Sequence, residues 1–201
     1  MKLTSIIDTI RHGVDLLKGE ETVDKTYCSD KTHADEPTAQ RAFDRAKEKL
    51  FAVDRWSDLS SLTADFHLYD QAGNRKTTGS PVVGDYIKVD LPGPAPENWV
   101  KVIHIIDEET RAGFTARPCA DPNDKAAETE HFFSDTSTST FHVEREGLTI
   151  TACQIGKNER VNNEDAESGN RGAVNTVIAG AGWLFYQKIQ WKTLTAYLVE
   201  E

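Results

Sequence analysis

Hydrophobic positions near the start of the chain recur three or four residues apart: Leu3, Ile6, Ile7, Ile10, Val14 and Leu17, with Gly19 closing the run. That spacing puts them on one stripe and predicts a docking helix over residues 1–19. Val23, Lys25 and Tyr27 then alternate with polar neighbours, which predicts a short strand over residues 21–29. A second helix is expected over residues 35–50. Pro37 stands near its start, strong helix formers follow, and Ala39, Ala42, Phe43, Ala46 and Leu50 form its inner face. Trp56 anchors a short turn after it.

From residue 63 the period changes from helical to alternating. Ala64, Phe66 and Leu68 share one face of a predicted strand; after a turn at Ala72, Gly73 and Asn74, so do Ile87, Val89 and Leu91. The proline-rich stretch 92–96 ends that strand. Further strands are expected over residues 99–106, 113–119, 130–143 and 148–160, with Glu146 and Gly147 as a tight connection between the last two. His67 and His142 alternate with apolar neighbours and are expected to be exposed. Trp56, Tyr86, Trp99 and Phe114 are expected in the core or lining a cavity.

The last element is a long helix over residues 171–199. Val174, Val177, Ile178, Ala181, Leu184 and Phe185 lie on one stripe, continued by Lys188 and Lys192. Trp183, Tyr186, Leu194 and Tyr197 fall on the opposite side, so the helix needs two covers: the sheet on one face, and on the other the first helix or a second copy of the chain. Gly180 and Gly182 stand in its middle. An interior glycine costs about 1 kcal/mol relative to alanine, so the pair implies a close neighbour or space kept open.

Composition narrows the function classes. With 201 residues and 38% hydrophobic content, the chain supports one sizeable core. A net charge of −10 disfavours nucleic acid or an anionic membrane as the main partner. Cys28, Cys119 and Cys153 are far apart and form no C-x-x-C pair, so they read as reduced thiols of a cytoplasmic protein, without a metal site. No apolar run is long enough to span a bilayer. Residues 162–172 read as a solvated loop without calcium-loop spacing. The G-x-S-x-G, Walker and H-E-x-x-H motifs are absent, and Gly180 and Gly182 are not a dinucleotide fingerprint, so no cofactor is expected.

Strand, helix pair, six-strand meander and long C-terminal helix follow one another in an order that resembles the START-like (helix-grip) superfamily of lipid carriers and polyketide cyclases. The resemblance implies an α+β fold in which a curved antiparallel sheet of six or seven strands grips the C-terminal helix, with residues 20–201 as the domain and residues 1–19 as an addition. It also implies a cavity between sheet and helix for an apolar or amphipathic small molecule.

Such a ligand would meet Gly180, Ala181 and Phe185, while Lys188 at the mouth would face a carboxylate or phosphate. The plainer reading of Lys188 and Lys192 is that both extend to water. His104 alternates with Val100, Val102 and Ile106 and would then face the cavity, where imidazole can move a proton near neutral pH. Arg117 would clamp an anion if it pointed inward; the plainer reading leaves both on the surface or in ordinary packing.

Three functions stay open. The first is a binding or carrier protein, dimerising through the outer face of the C-terminal helix. The second is a cyclase or dehydratase on the same scaffold. The third is a ligand-free interaction module in which residues 84–102 belong to a small SH3-like barrel.

Overall fold

The computed structural model describes residues 23–59, 64–90, 98–124, 136–159 and 187–200. The helix expected over residues 1–19, and with it the boundary at residue 20, lies outside them. So do Gly180, Ala181, Gly182 and Phe185.

Seven strands form one antiparallel sheet: β1 (Val23–Thr32), β2 (Asp65–Tyr69), β3 (Tyr86–Asp90), β4 (Asn98–Asp107), β5 (Arg111–Cys119), β6 (Thr138–Glu146) and β7 (Thr149–Glu159). Their order is β1-β7-β6-β5-β4-β3-β2, so β2 to β7 run as a meander and the last strand pairs with the first. Between β1 and β2 come α1 (Glu36–Phe51) and the 3-10 segment Val53–Leu59. The chain closes with a helix over residues 187–199, here α2. This is an α+β, helix-grip arrangement. Of the stretch 84–102, Tyr86–Asp90 and the first residues of Asn98–Asp107 are neighbouring strands of this seven-stranded sheet and not of a small barrel.

Local chemistry accounts for these elements. Asp35 caps α1 by accepting from the Thr38 backbone N–H at 2.8 Å, and Pro37 sits in the first turn, where its missing N–H costs nothing. All five inner residues predicted for α1 are buried. The β6–β7 turn uses Gly147 at φ +59°, in the left-handed region that favours glycine.

Trp56 sits at the centre of the core, 1% exposed. Its ring centroid lies 5.3 Å from Phe66, 5.9 Å from Phe114 and 5.2 Å from Phe141, and its indole N–H donates to the Lys49 carbonyl at 3.0 Å. Rings from β2, β5 and β6 thus meet on one side chain of the 3-10 segment. Trp99 and Tyr69, 4.8 Å apart, pack on the other face of the sheet.

The helix α2 corrects the predicted stripe. Gln187, Gln190, Trp191, Leu194, Thr195 and Leu198 are its buried residues along one face, and Lys188 and Lys192 are exposed. Leu194, expected on the outer side, is 0% exposed. The true stripe carries polar residues that bond inward: Gln190 Oε1 accepts from the Ala64 N–H at 2.8 Å, and Thr195 Oγ1 pairs with Ser29 Oγ on β1 at 2.9 Å. Over the described turns the buried face therefore does not continue through Lys188 and Lys192, which extend to water as their plainer reading had it; Val174 to Phe185 lie outside the described residues. The dimer expectation therefore loses Leu194; of its other outer residues, Tyr197 packs partly buried against the core.

A second correction concerns the thiols. Cys28 and Cys153 face each other in the β1–β7 register, with Cα atoms 4.2 Å apart, and form a disulfide. This is the spacing of a close cross-strand pair, and a sequence separation of 125 hid the partnership. Cys119 is free, and burial pushes its thiol up to about 12. His142, in register with Cys153, is 7% exposed, against the exposure expected of it, and burial lowers its pKa. No helix among the described residues is long and apolar enough to cross a membrane.

Candidate functional site

Between the inner face of the sheet and α2 lies a cavity of about 70 Å³. Trp56, Phe66, Ile87, Val100, Phe141 and Trp191 supply most of its apolar wall. Alternation explains the set. Phe66 and Leu68 on β2, Ile87 and Val89 on β3, and Ser139 and Phe141 on β6 each share the inward parity of their strand. Trp191 closes the other side, its ring 5.3 Å from Phe141 and 6.4 Å from Phe66.

Three lining residues are polar: Asn98, Ser139 and Gln187. Gln187 connects the cavity to a buried ion pair. Its Oε1 accepts from Lys25 Nζ at 3.0 Å, and its Nε2 donates to Glu159 Oε1 at 3.5 Å. Lys25 Nζ and Glu159 Oε2 stand 3.1 Å apart, with side chains 17% and 3% exposed. Burial raises the Glu159 pKa; the Lys25 ammonium and the bonds from Lys25 and Gln187 oppose the rise without cancelling it. Beside this group, Gln154 is 0% exposed and its Nε2 donates to Ser139 Oγ at 3.4 Å.

Of the predicted site residues, His104, Arg117 and Lys188 are among the described ones. His104 is exposed. The β4–β5 pairing shifts register between Val102 and His104, so Ile103 is an extra residue and the strand changes parity. Val100 and Val102 face the core before the shift and Ile105 does after it, which turns His104 outward. Arg117, between buried Ala116 and Pro118, is also exposed, as is Lys188. None of the three lines the cavity. Gly180, Ala181 and Phe185 lie outside the described residues.

Lys25, Gln154, Glu159, Gln187 and Trp191 were not singled out from sequence. One signal was available: with Ile150 and Ala152 inward, strand alternation puts Gln154 and Gly156 inward as well, and a polar side chain at such a position needs a partner. For Lys25, Glu159 and Gln187 no local signal existed, because their association depends on β1, the end of β7 and α2 meeting. Among the described residues no cluster of His, Cys, Asp and Glu has the spacing of a metal site.

No family model and no curated protein matches this chain. Solved structures with a similar arrangement include a hypothetical protein of Helicobacter pylori, at 12% identity and a TM-score of 0.49 over 92% of each chain. Another is the norcoclaurine synthase of Thalictrum flavum, at 14% identity and 0.41 over 89% of this chain and 96% of that one. A third is the Aha1 dimer of Colwellia psychrerythraea, at 11% and 0.39 over 86% and 96%. At these scores the architecture rests on the chain's own element order and strand topology.

Proposed function

We propose that this protein binds an apolar or amphipathic small molecule between the sheet and α2. The observation that carries this reading is a cavity walled by aromatic rings inside the core, with Gln187 joining it to a buried Lys25–Glu159 pair. Packed cores hold few voids larger than a water, so retained space beside buried polar groups favours an occupant. Native mass spectrometry of the purified protein, paired with organic extraction, tests it. The expected result is one retained compound at a fixed ratio; a protein that is empty and also fails to take up small apolar probes would overturn the reading.

An enzyme on the same scaffold keeps one specific support, the Glu159 carboxyl bonded to the cavity residue Gln187, whose pKa burial raises, the direction that suits a general acid. His104 and Arg117 have no part in that version. As for the setting, the cytoplasmic expectation drew on reduced thiols, and the Cys28–Cys153 disulfide removes that premise. Disulfides persist in oxidising compartments and are rare in the cytosol. Alkylation of protein from its native source, followed by mass analysis, decides between the two settings.

A further inference from the structure

The two ends of the Cys28–Cys153 disulfide are unlike. Cys28 is exposed on β1, whereas Cys153, its register partner on β7, is 7% exposed. Alternation puts the pair on the outer face of the sheet, because Lys25, Tyr27 and Ser29 take the opposite parity and face α2 and the core. On the Cys28 side lies an edge: β1 is the first strand of the sheet and pairs with β7 alone among the described residues. On the Cys153 side the sheet continues to β6, where His142, 7% exposed, stands in register with Cys153.

Thiol–disulfide exchange turns this asymmetry into chemistry. A thiolate attacks one sulfur in line with the S–S bond and expels the other, so access decides which sulfur is taken, and exposed disulfides are the labile ones. Attack on Cys28 comes from the side away from Cys153, where the edge of β1 is free. Attack on Cys153 would have to come from the side away from Cys28, where His142 and β6 stand. The first step joins an incoming thiol RSH to Cys28 as a mixed disulfide; the Cys28–Cys153 bond breaks, and the proton that RSH gave up ends on Cys153. A second RSH then removes the group as RSSR and leaves Cys28 as a thiol. Two small thiols are thereby oxidised to one disulfide while Cys28 and Cys153 are reduced.

The place of Cys28 along β1 gives the exchange a structural consequence. Lys25 and Ser29, on either side of it in sequence, tie the strand to α2 through Gln187 at 3.0 Å and Thr195 at 2.9 Å. The disulfide is the covalent part of an attachment otherwise made by one ladder, these two bonds and the Lys25–Glu159 pair.

We propose that Cys28–Cys153 is an exchange site for small thiols, opened at Cys28, and that opening it loosens β1 from β7 and α2. The exchange needs no ligand in the cavity. To test it, the intact oxidised protein is mixed with reduced glutathione, quenched in acid at early times and mapped by peptide mass spectrometry. Glutathione is expected on Cys28 at least about tenfold more often than on Cys153. After reduction by dithiothreitol, amide hydrogen exchange over Val23–Thr32 should be at least about tenfold faster than in the oxidised protein, with Glu36–Phe51 unchanged within about twofold.

Equal labelling of the two sulfurs, or more on Cys153, overturns the assignment of Cys28. A disulfide that neither glutathione nor dithiothreitol opens until the protein is unfolded in urea overturns the exchange site and marks the bond as purely structural. Hydrogen exchange over β1 that is the same in both redox states overturns the loosening.

Discussion

Glu159 turns back over its own strand, and Gly156 is small because that carboxylate occupies the space above it. A Cβ at Gly156 would overlap Glu159 Oε1 and come within 2.6 Å of Cδ. Gly156→Ala is therefore expected to expel the carboxylate, break its pairing with Lys25 and lower unfolding stability by about 1–3 kcal/mol in urea denaturation. Stability unchanged within error would show that Glu159 has another comfortable position. The same carboxyl gives a pH signature. Its folded pKa lies above its ordinary value of about 4.5, so as pH rises from there the unfolded chain releases its proton first and the native state holds on. Its contribution to stability is full at acid pH and is lost as pH rises through the folded pKa. Glu159→Gln removes this slope, so the stability of the variant minus that of wild type should increase with pH over that window. A constant or falling difference contradicts the assignment. Trp56→Ala, which removes the ring at the centre of the core, should cost about 3–5 kcal/mol. A loss under about 1 kcal/mol would mean that the core does not depend on it.

At the scale of elements, β1 is an edge strand held by its ladder to β7, by the Cys28–Cys153 disulfide and by two side-chain links to α2, Lys25 to Gln187 and Ser29 to Thr195. Cross-linking positions so far apart restricts the unfolded chain, and the disulfide is expected to contribute about 2–4 kcal/mol. Comparing urea denaturation of Cys28→Ala with wild type tests this; no change in midpoint would mean that the cysteines are not bonded in solution. Element existence was largely legible in the sequence, since α1 follows its capping residue and apolar face, and β2 to β5 and β7 follow their alternation. What could not be read was anything set by contacts across the fold. The extra residue at Ile103 reverses the parity of β4 and moves His104 from the expected inner face to solvent. The glutamines of α2 conceal its buried face, because each bonds a partner outside the helix. The cysteine pairing required the β1–β7 register, in which the first and last strands meet.

For the molecule as a whole, the antiparallel sheet and the helices on its inner face enclose a space with aromatic walls and one polar end. The fold was predictable from the succession of elements, whereas the site was not, because its polar residues come from β1, β4, β6, β7 and α2 and none carries a local motif. The central claim is that a ligand occupies this particular space, and filling the space tests it most directly. Ala116 lines the cavity from β5 and is 1% exposed, so Ala116→Leu would place its added carbons where a ligand ring would lie. NMR titration with benzyl alcohol should then show at least about a tenfold loss of affinity, with thermal unfolding within a few degrees of wild type. Undiminished binding by a folded Ala116→Leu protein would place the ligand elsewhere and contradict the account.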